Sequence, residues 1–120
     1  MIIKSKIQDE AGFQILRLLH KNPELTQREL GAQTGVSLGA VNYCLKALIG
    51  RGLVKVQNFK RSPNKTVYAY FLTPAGMAEK TLLTARFLKR KAAEHKALEK
   101  EIGDLRAELD DRPIKEITST

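Results

Sequence analysis

The stretch Leu25-Thr-Gln-Arg-Glu-Leu-Gly-Ala-Gln-Thr34-Gly-Val-Ser37-Leu-Gly-Ala-Val-Asn-Tyr-Cys-Leu-Lys-Ala-Leu-Ile-Gly-Arg51 decides the fold. Thr26-Gln-Arg-Glu29 is a capping box, in which the Thr26 hydroxyl accepts from the Glu29 amide and the Glu29 carboxylate accepts from the Thr26 amide. It predicts a short helix with Leu30 and Ala32 turned inward. Gly35 follows Thr34 where a helix stops in the left-handed conformation, and Ser37 is the N-cap of the next helix. That helix is expected from about Leu38 to Ile49. At about 100° per residue, Val41, Leu45 and Leu48 fall together, with Leu38, Cys44 and Ile49 at the margins of one buried stripe. The opposite arc carries Gly39, Asn42, Tyr43 and Lys46, and Gly50 and Gly52 end the helix. Two helices joined by a tight turn, the second amphipathic, make a helix-turn-helix.

Working outward, residues 9–21 read as a helix. Phe13, Leu16 and Leu19 recur at helical spacing, Asp9 and Glu10 suit the N-terminal dipole, and His20 and Lys21 suit the C-terminal end. Asn22-Pro23 breaks it. Downstream, Leu53–Asn58 and Thr66–Leu72 read as strands, and the basic stretch Phe59–Lys65 between them reads as a loop with turn chemistry at Ser62-Pro63-Asn64. This makes an antiparallel hairpin with a charged tip. Tyr68 and Tyr70 share one strand face and are expected to serve its packing. Thr73-Pro74 then opens a helix, with Thr73 as N-cap and Pro74 at the first helical position. The next proline is Pro113, so a single helix of up to about 37 residues is expected. Its second half carries an apolar seam at alternating spacings of three and four, through Leu88, His95, Leu98, Ile102, Leu105 and Leu109, interrupted at Lys91. Glu94, Glu101 and Glu108 line one flank, and Glu99 and Arg106 the other. A narrow apolar seam edged with charge is a coiled-coil pattern and points to self-association. The alternative is a helix folding back on its own domain.

The chain has 120 residues, 42% apolar and 28% charged, which describes one globular domain with an appendage rather than a disordered chain. The expected division is 1–72 for the helix-turn-helix and hairpin, 73–112 for the long helix, and 113–120 for a tail. A single cysteine, Cys44, excludes a disulfide framework and a thiolate-rich zinc site. No apolar run approaches a membrane span and the start is too polar for a signal peptide, so no membrane partner and a cytoplasmic location are expected. No nucleophile, carboxylate pair or phosphate-cradling glycine loop has a coherent local frame. Neither an enzyme nor a cofactor is expected. Cys44 beside the buried stripe reads as a small hydrophobe rather than a redox sensor.

The net charge is +8, and its placement is informative. Residues 1–72 hold 11 basic and 4 acidic groups, a net of +7, while residues 73–120 hold 10 and 9. No acid occurs between Glu29 and Glu79, an interval that carries Lys46, Arg51, Lys55, Lys60, Arg61 and Lys65. Such a surface is suited to phosphate, and double-stranded DNA is the expected partner. A helix-turn-helix lays its second helix in the major groove. There Asn42 can pair with adenine, Lys46 can meet phosphate or a guanine edge, Tyr43 can touch phosphate or a thymine methyl, and Gly39 lets the backbone come close. Gln27 and Ser37, at helix starts, and Arg28 are expected on phosphate. The hairpin tip, with Lys60, Arg61 and Lys65, can reach the neighbouring minor groove, Arg61 above all.

At Leu25-Thr-Gln-Arg-Glu-Leu30, Thr34-Gly-Val-Ser37, Leu48-Ile-Gly-Arg-Gly-Leu-Val54 and Tyr70-Phe-Leu-Thr-Pro-Ala-Gly76 the chain resembles the winged helix-turn-helix of MarR-type bacterial transcriptional regulators. The short chain and single long C-terminal helix resemble the subgroup associated with exopolysaccharide gene clusters. The resemblance implies a homodimer on a palindromic operator, with the third helix in the major groove and the wing in the minor groove. It departs at the wing tip, where Lys60-Arg61-Ser62-Pro63 replaces the family's Asp and Arg pair. It departs also before residue 9, where too little chain stands to share in dimerisation, so one C-terminal helix must do that work. No small-molecule effector is named by the sequence. The expected fold is mainly α with a small β-hairpin. The expected function is sequence-specific DNA binding in transcription regulation, the rival being a protein-interaction module docking through its long helix.

Overall fold

The computed structural model describes the backbone of residues 2–110 and the side chains of residues 10–110. The elements are α1 (Ile2–Lys21), α2 (Gln27–Thr34), α3 (Leu38–Gly50), β1 (Val54–Ser62), β2 (Lys65–Leu72) and α4 (Pro74–Asp110). The expected tail at 113–120 lies outside the described residues. The chain divides into two compact units, residues 1–84 and 85–120.

In the first unit, the apolar faces of α1, α2 and α3 close over one core of Ile15, Leu16, Leu19, Leu30, Val41 and Leu45, all nearly inaccessible. Leu53, Val54 and Ala69 bring the base of the hairpin onto this unit. The capping box forms as the sequence predicts. Glu29 N–H donates to Thr26 Oγ1 at 3.1 Å, and Thr26 N–H donates to Glu29 Oε1 at 3.0 Å. The Thr26 amide, then the Thr26 hydroxyl, hold the Glu29 carboxyl below the ordinary glutamate range. Gly35 takes φ 76°, and Ser37 Oγ accepts from Ala40 N–H at 3.1 Å.

Four local expectations need correction. First, α1 begins at Ile2, well before Asp9, so no acid lies in its first turn and the residues ahead of Asp9 are helical. Second, Ala32 is exposed, and Gly31 takes the inward position. A methyl on Gly31 would lie 3.1 Å from the Val36 carbonyl oxygen and 3.6 Å from Val41, so the Val36 backbone would have to give way to any larger residue. Third, Leu38 and Ile49 are exposed rather than marginal to the core, so the buried stripe of α3 narrows to Val41, Cys44, Leu45 and Leu48.

The fourth concerns the hairpin, which has no long loop. The strands pair from Val54 with Leu72 out to Ser62 with Lys65, leaving only Pro63-Asn64 at the turn. Proline fixes a negative φ, and neither turn residue has positive φ, so the primed turns that match strand twist are closed to this sequence. The register slips between Lys60 and Ser62, putting a bulge at Arg61. The basic residues expected on a loop thus stand on two paired strands. Tyr70 N–H donates to the Pro23 carbonyl at 2.8 Å, tying β2 to the segment between α1 and α2.

Helix α4 opens as expected. Thr73 Oγ1 accepts from Gly76 N–H at 3.1 Å and donates to the Gly52 carbonyl at 2.6 Å, while Thr73 N–H donates to the Leu53 carbonyl at 3.0 Å. Gly76 is buried where a Cβ would sit 1.9 Å from the Leu53 carbonyl oxygen. Because Gly76 meets Leu53, and Leu83 packs on the core, the start of α4 belongs with the first unit.

In the second unit, α4 continues to Asp110 and every residue from Lys91 to Asp110 is exposed. The seam residues Leu88, Leu98, Ile102, Leu105 and Leu109 are 41–67% exposed. His95 Nε2 lies 2.9 Å from Glu99 Oε1, and Lys91 Nζ lies 3.3 Å from Glu94 Oε2. Among the described residues, no helix is long and apolar enough to cross a membrane.

Candidate nucleic-acid interface

Helix α3 is two-faced. Val41, Cys44, Leu45 and Leu48 are buried in the core, which fixes the roll of the helix. Gly39, Tyr43 and Lys46 are then exposed, as the sequence predicts, and Tyr43 is 60% accessible. Burial pushes the Cys44 thiol up from its ordinary value, in keeping with a packing role.

Asn42 sits at the edge of the exposed arc and is half-buried. Its Nδ2 donates to Gln27 Oε1 at 3.3 Å, and Gln27 Nε2 donates to Tyr70 Oη at 3.4 Å. Gln27, expected to face phosphate with its amide, therefore has that amide engaged between α3 and β2. Tyr70 packs against the core cluster, whereas Tyr68 is exposed on the same strand face.

Gln27 lies where two depressions meet. One, of about 530 Å³, is lined by Arg28, Gly31, Ala32, Gly35, Val36 and Leu38 besides Gln27. The other, of about 570 Å³, runs between the start of α2 and the wing, past Glu24, Arg61, Lys65, Tyr68 and Tyr70. Gln27 thus borders Arg28 on one side and the wing residues Arg61 and Lys65 on the other, and Asn42 joins it through its hydrogen bond. Ser37 is exposed, and because its oxygen accepts from Ala40, its own O–H remains to donate outward. Lys60 is exposed opposite Thr66, beside the bulge.

Two further residues belong to this surface, beyond those the sequence predicts. Leu38 is 49% exposed at the first position of α3, where an apolar side chain can meet a thymine methyl. Its place at the N-terminal end of the outward helix is the signal in the sequence that could have marked it. Glu24 is the other. Its Oε1 accepts from Arg61 Nη2 in an ion pair, and Arg61 also stands over the Phe59 ring at 5.4 Å. An acid from outside the acid-free interval thus reaches the wing, and no local pattern signals a partner 37 residues away.

The second unit offers a different surface. Its seam leucines and isoleucine are exposed, and charges pair along the helix at Lys91–Glu94 and His95–Glu99.

Residues 8–55 match a family model described as winged helix-turn-helix DNA-binding. No curated protein matches the sequence. Solved structures do. The PcaV transcriptional regulator from Streptomyces coelicolor, in complex with its natural ligand, superposes with a TM-score of 0.62 at 19% identity, over 83% of this chain and 72% of that one. A MarR/EmrR family transcriptional regulator from Acinetobacter sp. ADP1 gives 0.56 at 20% identity, over 84% and 75%. FabT from Streptococcus pneumoniae, in complex with DNA, gives 0.53 at 21% identity, over 83% and 74%. At these identities the likeness is one of fold. The chain has the winged helix-turn-helix with a long C-terminal helix that is found in MarR-family regulators.

Proposed function

We propose that this protein is a MarR-type transcriptional regulator that binds a palindromic DNA operator as a homodimer. The observation that carries the reading is the division of α3. One face is locked in the core, and the other presents Gly39, Asn42, Tyr43 and Lys46 within an interval of 49 residues, 30–78, that contains no carboxylate. The outward face of a helix-turn-helix meets base edges and phosphates, and an acid there would repel the backbone. Asn42 reads adenine, Lys46 meets phosphate or guanine, and Tyr43, Leu38 and Gly39 lie against the groove floor and sugar. Arg28 and Ser37 contact phosphate at the helix starts. The hairpin is the wing. Lys60, Arg61 and Lys65 follow the backbone, and Arg61 enters the adjacent minor groove. The FabT complex with DNA supports this class of partner.

The exposed seam of α4 supports homodimerisation, with Leu88, His95, Leu98, Ile102, Leu105 and Leu109 facing their counterparts. A two-fold dimer places half-sites about 10 base pairs, or a multiple of that, apart. The single long C-terminal helix also favours the exopolysaccharide-associated subgroup of the family.

The reading is tested by titrating the protein on operator duplex at several salt concentrations. Lys46→Ala and Arg61→Ala weaken binding and leave folding unchanged. Each also lowers the slope of log K against log salt by about 0.9 for every phosphate that the variant no longer neutralises. Both variants binding as tightly and with the same slope as the parent would contradict the assignment of these two residues to DNA. An interaction module would show no saturable, sequence-dependent binding at all.

A further inference from the structure

We infer that Gln27 and Tyr70 are positioning residues that fix which atoms Asn42 shows to a base, so that base selection by α3 depends on a hydroxyl of the wing. The inference rests on the reading of α3 as the base-contacting helix.

The three side chains come from three elements and form one chain of hydrogen bonds. Tyr70 is the fixed end. Its N–H is tied to the Pro23 carbonyl at 2.8 Å, and its side chain packs on the core. Its hydroxyl therefore has a set position beside the first residue of α2. Gln27 Nε2 donates to that hydroxyl at 3.4 Å, and Gln27 Oε1 lies on the α3 side. Oε1 then accepts from Asn42 Nδ2 at 3.3 Å. One N–H of the Asn42 amide is engaged by Gln27. Its carbonyl oxygen and second N–H are left for a ligand.

That remainder is one acceptor and one donor. Adenine in the major groove offers the complement, the N6 amino group as donor and N7 as acceptor, whereas guanine offers two acceptors. An Asn42 amide free to rotate by 180° would lose part of this discrimination, because the two orientations have nearly the same shape and differ only in where the oxygen points. The relay needs no ordering at the moment of binding, since it is already made in the free protein.

Gln27 and Tyr70 need not touch DNA to act in this way, and a purely structural role would leave base preference unmoved. Tyr70→Phe keeps the ring and removes the hydroxyl. Gln27→Met keeps the length of the side chain and removes the amide. Neither changes net charge, so neither alters phosphate neutralisation.

The experiment uses the full-length protein and operator duplexes substituted one base pair at a time. Asn42→Ala first locates the base pair that Asn42 reads, as the position where discrimination collapses. At that same position Tyr70→Phe and Gln27→Met each reduce the preference for adenine over guanine by about 3- to 10-fold. Preferences elsewhere and the salt slope stay as in the parent. The double variant is no worse than Gln27→Met alone, because both act through one chain. If Asn42→Ala erases a preference that both Tyr70→Phe and Gln27→Met retain, the relay is overturned while the reading of α3 stands. If Asn42→Ala leaves every preference intact on a bound operator, Asn42 reads no base and the inference falls with that assignment. If no duplex is bound saturably, both the proposed function and the inference fail.

Discussion

The Arg61 guanidinium is held by the Glu24 carboxylate, so the wing's most reaching cation is already paired in the DNA-free protein. Both side chains are about half exposed, at 51% and 42%, so the pair is weak and phosphate can displace it. A carboxylate at that place also repels a nearby backbone. Glu24→Gln is therefore expected to strengthen operator binding by about 2- to 5-fold at low salt. Arg61→Ala should cost more in the Glu24→Gln background than in the parent. Equilibrium titration of the four proteins checks this, and unchanged or weaker binding by Glu24→Gln would contradict it.

Gly76→Ala tests the junction of α4 with the hairpin base. The added methyl would meet the Leu53 carbonyl oxygen, which is backbone and cannot swing aside. That carbonyl also accepts from Thr73 N–H, so moving it disturbs the cap of α4. Destabilisation of about 2–3 kcal/mol is expected, despite alanine's better helix propensity. A shift of the urea midpoint at constant slope measures it, and a neutral or stabilising outcome would mean that the junction is looser than described.

The capping box gives a pH dependence with a definite sign. Glu29 has its carboxyl held below the ordinary value of 4.5 by the Thr26 amide and hydroxyl. A group whose folded pKa is depressed stabilises the fold above its unfolded pKa. That contribution is lost as pH falls through the lower, folded value. Glu29→Gln can still accept from Thr26 N–H but has no proton to gain. Its stability should fall less than the parent's between about pH 5 and about pH 3. Denaturation curves at those two values decide the matter, and equal losses would remove Glu29 from the acid response.

The seam of α4 predicts an oligomeric state. Ile102 is the least exposed of its leucines and isoleucine, at 41%, and stands midway between Leu98 and Leu105 on the stripe. Ile102→Asp places a charge on the seam and should convert a dimer to monomer in sedimentation while leaving the first unit folded. Operator affinity should fall at least about 10-fold, since a half-site alone then carries binding. A parent protein that sediments as a monomer would contradict the assignment of the seam.

The elements most legible in the sequence are those whose chemistry is local. Thr26 and Glu29, Ser37 and Ala40, and Thr73 and Gly76 lie three residues apart, so caps and helix starts can be placed directly. The buried stripe of α3 and the extent of α4 follow from periodicity and from the spacing of Pro74 and Pro113. The hairpin is less legible. Phe59–Lys65 shows no alternation of apolar and polar residues because both faces there are exposed, so strands read as loop. The start of α1 is masked by Asp9 and Glu10, which look like acids of a first turn, although Ile3, Ile7, Ala11 and Ile15 already recur at four-residue spacing. In α2 the helical angle already sets Ala32 about 200° from Leu30, so the two cannot both turn inward, whereas the crowding of Gly31 by Val36 and Val41 shows only in the fold. In the candidate site, Asn42, Tyr43 and Lys46 can be found from the outward arc of one helix. The Asn42–Gln27–Tyr70 relay and the Glu24–Arg61 pair cannot, because each joins residues from separate elements, 15 to 43 positions apart.

Operator binding by a two-fold dimer is tested most sharply by selecting bound fragments from the source organism's own DNA and sequencing them. Enrichment of a few fragments sharing a two-fold symmetric motif is expected, with half-sites about 10 base pairs or a multiple apart, and Lys46→Ala should abolish the enrichment as salt is raised. Recovery of fragments with no shared motif, or no recovery at low salt, would contradict it.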